Sequence, residues 1–148
     1  MMEKTPPMRF IYPYAIHQSD DGMWQVRFPD VPEALTEGET EAEAHALAPD
    51  ALIAALGGIA KLRRDLPEPS AEGAFFVIVP MMHAAKLALY QAMREQGFNN
   101  VTFARKLGVQ ESEVRRMLDL DHQTKISTLE KALWLLGKQV ASEVRAAA

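Results

Sequence analysis

Apolar residues alternate along two short stretches near the start of the chain, as they do in half-buried β-strands. In residues 8–17, MRFIYPYAIH, one face carries Phe10, Tyr12, Tyr14 and Ile16. After the turn sequence SDDG, the alternation resumes at Trp24, Val26 and Phe28. The pattern predicts a β-hairpin that presents one aromatic-rich face to a covering helix.

Two features modify the sheet that begins with this hairpin. Pro13 lacks the amide hydrogen that a strand donates to its neighbour, so we expect the first strand to lie at a sheet edge or to contain a bulge. The segment PDVPEALTEGET predicts a turn, a short third strand near Leu35 and a second turn at Gly38.

A helix is predicted over residues 41–64, followed by a connector and a last strand. Thr40 and Glu43 have the spacing of a capping box, and the helical stripe after them consists of Ala44, Leu47, Ala51, Ala54 and Ala55. Pro49 falls inside this helix, where its ring and its missing amide are expected to bend or break it. The sequence LPEPSAEG predicts the connector, and AFFVIV at 74–79 predicts a buried strand.

From Met81 onward the apolar spacing becomes helical, which places a domain boundary near Pro80. The first helix of this second part is predicted over 81–96, with Gly97 at its end, and ISTLEKALWLLG predicts a closing helix. The fold class is therefore α+β, with a β-β-β-α-β domain in residues 1–80 followed by an all-α domain in residues 81–148.

The segment 100–118, NVTFARKLGVQESEVRRML, has the pattern of a helix-turn-helix. Ala104 is small where a second helix crosses closely, Gly108 accepts a positive φ, and Val114 packs the second helix onto the first. The segment resembles the lambda-repressor-like helix-turn-helix, with residues 81–96 as the preceding helix. The alternative is a helical hairpin that packs and binds nothing.

If the segment binds DNA, its second helix and flanking basic residues are the expected contacts. The predicted set is Gln110, Glu111, Ser112, Arg115, Arg116, Arg105, Lys106 and Lys125. The two arginines of the second helix suit guanine edges, whereas Arg105, Lys106 and Lys125 suit phosphates. Gln110 stands where such domains place a Ser or Thr cap, and the nearby glutamates favour the helix dipole but repel phosphates.

One such domain buries too little surface for tight specific binding, so a symmetric dimer on a palindromic operator is expected. An apolar stripe in the last helix is open to two interpretations, a hydrophobic core or a dimer contact, of which we favour the core. Its members are Leu129, Leu133, Leu136 and Val140.

The two predicted domains carry opposite net charges. Residues 1–80 contain 6 Lys and Arg against 13 Asp and Glu, a net charge of −7, and residues 81–148 contain 10 against 7, a net charge of +3. A polyanion such as DNA is attracted to the second domain and repelled by the first, whereas a basic protein suits the first. The alternative is that both surfaces are merely solvated.

The composition excludes several classes of protein. The 148 residues include no cysteine, which excludes a disulfide framework, a thiolate zinc site and a cysteine nucleophile. The four histidines show no metal-ligand spacing, so we expect neither a metal nor another cofactor. No apolar run approaches the roughly 18 to 20 residues of a membrane span, and MMEKTPPMRF lacks the apolar stretch of a secretory signal, so a cytoplasmic protein is expected.

The first domain resembles the HicB antitoxin family. The matching pieces are YPYAIHQSDDGMWQVRFPDVP, the TEGETEAEA run into the helix, and LPEPS, with a helix-turn-helix behind them as in many members. Where the family commonly has Gly-Cys after its FPDxP segment, this chain has Glu33-Ala34, and Pro49 interrupts a helix that is usually continuous.

The resemblance implies a degenerate ribonuclease H-like first domain that has lost nuclease activity and caps a small, basic, RNA-cleaving HicA-like toxin. It further implies an antitoxin of a type II system, not an enzyme, which represses its own operon by binding operator DNA as a homodimer or tetramer. The toxin-contacting residues are unknown from the sequence. One candidate surface, equally well explained as a solvated turn, is the acidic stretch Glu37, Glu39, Glu41 and Glu43.

Two rival functions remain open at this stage. A ribonuclease H-type nuclease needs several carboxylates that converge on Mg²⁺, but Asp20, Asp21 and Asp30 fall in predicted turns, where aspartates usually accept bonds from local amides. A ligand-sensing repressor without a toxin partner would bind a metabolite between the aromatic sheet face and its helix, whereas an aromatic stripe more often forms a core.

Overall fold

A computed structural model describes residues 6–70 and 72–147 of the chain. The first five residues of the N-terminal sequence MMEKTPPMRF, whose lack of an apolar stretch was noted above, therefore lie outside the described residues. The chain divides into two compact units, Met1–Pro80 and Met81–Ala148. No helix among the described residues combines the length and the apolar character needed to cross a membrane.

The α+β class and the β-β-β-α-β order of the first unit are confirmed, and helices follow in the second. The first unit contains β1 Ile11–Gln18, β2 Trp24–Arg27, β3 Leu35–Gly38, α1 Glu41–Lys61 and β4 Phe75–Ile78. The second contains α2 Met81–Glu95, α3 Asn100–Leu107, α4 Glu111–Leu118 and α5 Ile126–Leu135.

The four strands form an antiparallel sheet in the order β3-β2-β1-β4. The edge position expected for β1 from Pro13 is therefore wrong, because β1 is central. Its two halves have different partners: Ala15–Gln18 pairs with β2, and Ile11–Tyr14 pairs with β4. Pro13 lies opposite Phe76, in the half without a β2 ladder, so one side of the strand can tolerate the missing amide hydrogen.

Helix α1 packs on the aromatic face of the sheet. Tyr12, Tyr14, Val26 and Phe28 are all buried under it, as the alternation predicted. The buried positions of α1 are Ala44, Ala48, Leu52, Leu56 and Ile59. The predicted stripe was wrong beyond Ala44, because Leu47, Ala51 and Ala55 are only partly buried and Ala54 is exposed. Alanine at many positions leaves the helical face ambiguous, and the large residues Leu52, Leu56 and Ile59 decide it.

Pro49 does not break α1, which is continuous across it, so the expected break is wrong. The helix begins as predicted: Thr40 is its N-cap, and the Thr40 side chain accepts a hydrogen bond from the Glu43 amide at 3.1 Å. The helix ends at Lys61 rather than near residue 64. Burial of one face along its length offsets the bond lost at the proline.

Strand β4, which forms an edge of the sheet, was predicted to be buried, and this is wrong for one of its two faces. Val77 and Val79 are buried, but Phe76 and Ile78 are 47% and 58% exposed. The apolar run AFFVIV therefore has only one covered face. Whether a short apolar run has one or two covered faces depends on tertiary packing that its periodicity does not encode.

The second unit has its own core, formed by all four helices. Leu129, Leu133 and Leu136 are buried in it and Val140 packs against it, which confirms the core interpretation of that stripe. Gly97 has φ 76° at the end of α2, and the Phe98 amide donates to the Met93 carbonyl at 2.9 Å. This closed turn ends the helix where the sequence predicted.

We expect Gly38→Ala to destabilise the first unit by about 1–3 kcal/mol, because an added methyl group would overlap the start of α1. A Cβ at residue 38 would lie 2.7 Å from the Ala44 amide nitrogen. Gly58→Ala, which meets nothing within 4 Å inside α1, should instead stabilise the unit by about 0.5–1 kcal/mol.

The measurement is urea unfolding in a Trp134→Phe background, so that Trp24 fluorescence reports on the first unit alone. Equal midpoints for the Gly38→Ala and Gly58→Ala variants would contradict the close packing of β3 on α1.

Candidate functional site

The turn between α3 and α4 is built by local backbone chemistry. Asn99 caps α3 through a reciprocal pair of bonds with Thr102, at 2.8 Å and 2.9 Å. Gly108 follows the helix with φ 77°, and the amides of Gly108 and Val109 both donate to the Ala104 carbonyl. A residue with a Cβ is strained at this φ, which explains the glycine.

Two small or branched side chains fix how α4 packs against α3. Ala104 and Val114 are 4% and 0% exposed, and Phe103 and Met117 are buried with them in the same core. Burial of Val114 and Met117, three residues apart on α4, assigns one face of that helix to the interior. The opposite face is left to solvent.

The exposed side of α4 carries Glu113, Arg115 and Arg116. Arg115 donates to the Glu111 carboxylate at 3.0 Å, and its side chain remains 66% exposed. The same carboxylate accepts a weak bond from the Asn100 amide group at 3.5 Å. Among the described residues, Arg116 forms no ion pair, so its guanidinium is open to an external acceptor.

The start of α4 lacks a side-chain cap. Gln110 occupies the N-cap position, is exposed, and makes no capping hydrogen bond with its side chain. Ser112, in the first turn, is partly buried. The positive end of the helix dipole lies at this end of α4, although Glu111 and Glu113 add negative charge beside it.

The remaining predicted contacts flank α4. Arg105 and Lys106 lie exposed in the last turn of α3, and the Lys106 Nζ sits 5.8 Å from the centre of the Phe98 ring. Lys125 is the N-cap residue of α5 and is also exposed. All three are cations at helix ends, which suits phosphate contacts.

Sequence reasoning missed one residue that bears on this site. Lys86 of α2 is 0% exposed, and its ammonium donates to three carbonyls at the end of α4 and just beyond it. The spacing of Met82, Lys86, Leu89 and Met93 already places Lys86 on the apolar face of α2. A lysine on such a face marks a buried charge, but the sequence does not show which acceptors surround it.

In the first unit, the acidic stretch is on the surface. The side chains of Glu37, Glu39, Glu41 and Glu43 are all exposed. Glu43 also accepts from the Glu39 amide at 3.3 Å, and Glu41 lies 3.9 Å from the Nε2 of His45. Among the described residues, the carboxylates of Glu37 and Glu39 make no capping bond at the start of α1.

Two of the three aspartates considered for a nuclease, Asp21 and Asp30, accept structural hydrogen bonds. Asp21 accepts from the Ser19 hydroxyl and the Met23 amide, and these bonds lower the pKa of its carboxyl group. Asp30 accepts from the Ser70 amide at 2.8 Å and so ties the connector to the turn after β2. Within residues 6–70 and 72–147, no three His, Cys, Asp or Glu residues are grouped as metal ligands.

The aromatic face of the sheet is filled by its own side chains. The Tyr14 ring packs against Phe28, His45 and Phe75, with centroids 5.3–5.8 Å apart, and the Tyr14 hydroxyl bonds the His45 Nδ1 at 2.8 Å. Burial, aided by Asp30, raises the pKa of Tyr12 to about 12. A cavity of about 150 Å³ lies among charged side chains that include Asp30, Glu33 and Arg64.

Comparison with known proteins gives the family of the chain. Residues 11–88 match the model described as the HicB-like antitoxin of bacterial toxin-antitoxin systems. Antitoxin HicB 2 of Photorhabdus laumondii is 43% identical over 129 residues, which cover 87% of this chain and 92% of that protein. Antitoxin HicB of Escherichia coli K12 is 35% identical over 132 residues, which cover 88% of this chain and 96% of that protein. The chain belongs to the HicB-like antitoxin family.

Membership of this family gives the HicB-like protein its general role as an antitoxin of a toxin-antitoxin system. Antitoxins of this family are regulatory proteins rather than enzymes. Antitoxin HicB of Pseudomonas fluorescens, 33% identical, aligns with 93% of this chain and 96% of its own length. The similarity therefore extends through the helix-turn-helix, well beyond residue 88, where the family match ends.

Of the two departures from the family pattern in this HicB-like chain, one lies in a hydrogen-bonded turn and the other in a helix. Ala34 is buried, and its amide donates to the Val31 carbonyl at 2.9 Å in the turn before β3. Glu33, beside it, forms an ion pair with Arg64 at 2.7 Å. Pro49 lies within the continuous α1, as described above.

Proposed function

We propose that this antitoxin neutralises a small, basic, HicA-like RNA-cleaving toxin through residues 8–80 and represses its own operon through residues 81–148. Direct protein binding by the first unit would cover the toxin's RNA-binding face, and α4 of the second unit would enter the major groove of operator DNA. Both events would take place in the cytoplasm, with the antitoxin acting as a symmetric dimer or a tetramer.

The observation that carries the DNA-binding part is the exposure of Arg115 and Arg116 on a helix whose other face is locked in a core. An arginine can bind the O6 and N7 of guanine bidentately, and Arg116 has no competing ion pair among the described residues. Arg105, Lys106 and Lys125 would contact phosphates. A net charge of +3 on residues 81–148 supports the approach to a polyanion.

The observation that carries the toxin-binding part is the net charge of −7 on residues 1–80. A negative surface resembles the RNA backbone that a basic toxin binds, and it attracts such a toxin over long distances. The exposed carboxylates of Glu37 and Glu39 are the candidates that the fold leaves free of a capping role.

The alternative, a ligand-sensing repressor without a toxin, has less support. A metabolite between the aromatic face and α1 would need to displace Tyr14, Phe28 and neighbouring rings from contact with one another. An adjacent reading frame for a small basic protein would favour the antitoxin, and a metabolic operon would favour the sensor.

Arg116→Ala should weaken operator binding by about 1–3 kcal/mol and relax selectivity at one base pair, because a base contact is lost. Gel-shift titration at fixed salt measures this. Arg145→Ala removes the same charge from the C-terminal tail and should change affinity little. Unchanged binding by the Arg116 variant, or an equal loss in both variants, would remove Arg116 from the interface.

A fragment of residues 1–80 should keep part of the rescue of growth from co-expressed toxin but lose the operator footprint. The matched control is the full-length chain with Arg115→Ala and Arg116→Ala, which should keep full rescue and lose the footprint. A footprint from the fragment would refute the division of labour between the two units.

Glu37→Gln combined with Glu39→Gln should slow association with the toxin by about 3- to 10-fold at low salt, with less effect at high salt, since long-range attraction is reduced. Asp50→Asn with Glu68→Gln removes the same charge from other exposed positions of the unit and should have the smaller effect. Stopped-flow measurement of the rate of association with the toxin compares the two double variants. Equal slowing by both pairs would assign the attraction to net charge rather than to this surface.

A further inference from the structure

Among the residues that the structure describes, Lys86 is the one charged residue whose side chain is fully buried. It lies in the middle of α2, packed among the side chains of the second core. A charged side chain without water is costly unless its donors are all satisfied. The hydrogen-bond acceptors of the Lys86 ammonium therefore indicate the role of this buried charge.

The ammonium of Lys86 donates to three backbone carbonyls and, within residues 6–70 and 72–147, to no carboxylate at bonding distance. The acceptors are the carbonyl of Arg116 at 2.8 Å, that of Asp119 at 2.7 Å and that of His122 at 2.6 Å. A lysine has three donors, so all of them are used. Burial lowers the pKa of Lys86, and the Asp119 carboxylate acts in the opposite direction.

Those carbonyls lie at the C-terminal end of α4 and in the turn that follows it. Arg116 is in the last turn of α4, Asp119 is its C-cap, and His122 precedes α5. The last carbonyls of a helix lack partners within the helix and form the negative end of its dipole. The Arg116 and Asp119 carbonyls each accept one backbone amide, from Asp119 and His122. The Lys86 ammonium adds a charged donor from another helix to both, so α2 holds the end of α4 in place.

We propose that Lys86 is a positioning residue for α4, the helix proposed to enter the major groove. Its ammonium holds the backbone of α4 at Arg116, so that the exposed side chain of Arg116 meets the base edges. The inference rests on the proposed operator binding and adds to it a residue that touches no DNA. Because its ammonium is buried, Lys86 acts through the backbone of Arg116 rather than through phosphate contacts.

The test is Lys86→Met, which keeps the approximate length of the side chain but removes the three donors. We expect operator affinity to fall by about tenfold or more, as when a base contact is misaligned, with little change in affinity for non-specific DNA. The slope of log affinity against log salt should stay unchanged. Lys106→Met, at a proposed phosphate contact, should instead weaken binding to both DNAs and reduce that slope by about one.

Lys131→Met removes an exposed charge from α5 and serves as the control for net charge. If Lys86→Met keeps the wild-type ratio of operator to non-specific affinity, or loses both affinities in proportion, the positioning role is refuted. Failure of the wild-type chain to bind any operator would instead refute the proposed function itself.

If Lys86→Met does not fold, the wild-type protein decides the question by NMR of a sample labelled with 15N in its lysine side chains and 13C in its backbone carbonyls. A slowly exchanging Lys86 ammonium signal, with couplings to the three acceptor carbonyls that persist in the operator complex, is the expected result. An ammonium that exchanges freely with water, or loses these couplings when operator binds, would overturn the inference.

Discussion

The packing of Val114 against the core next to Ala104 decides which side of α4 faces outward, and every role assigned to that helix depends on it. Val114 is fully buried and Ala104 nearly so. A larger residue at 104 would push α4 away, and a polar residue at 114 would leave a buried group without partners. Gly108 makes the packing possible, because its positive φ turns the chain back within three residues.

The first unit depends on a different constraint, the single helix that covers one face of a four-stranded sheet. Leu52, Leu56 and Ile59 supply the large side chains of α1, while its alanines let the helix approach the sheet closely. The opposite face of the sheet and the β4 edge keep exposed apolar residues such as Ile78. The acidic stretch Glu37, Glu39, Glu41 and Glu43 lies on β3, just after it and in the first turn of α1.

Local chemistry determined what the sequence could predict. The turn at Gly108, the cap at Thr40 and the order of elements follow from neighbouring residues, and all were predicted correctly. Predictions failed where the answer depends on distant parts of the chain. Phe76 and Ile78 of β4 are exposed because α1 covers only one face of the sheet. Pro13 is accommodated because β1 exchanges partners halfway along its length.

The candidate site shows the same division between local and distant information. The exposed arginines followed from the helical period, since burial of Val114 and Met117 leaves Arg115 and Arg116 outside. Lys86 was missed because its acceptors are carbonyls 30 to 36 residues away in the chain. A buried cation is recognisable in sequence only as a polar residue on an apolar face, and its purpose requires the fold.

The mixed charge of α4 is compatible with DNA binding because its ion pair is weak. The pair of Glu111 and Arg115 is exposed, so it contributes about 0.2–1 kcal/mol. A bidentate contact with guanine is worth about 1–3 kcal/mol, which is enough for Arg115 to exchange its partner. Arg116 has no such pair to break in the part of the chain that the structure describes, and its carbonyl is already held by Lys86. Because the first turn of α4 is acidic, the strongest contacts with DNA are expected in the C-terminal half of the helix, where Lys86 holds the backbone.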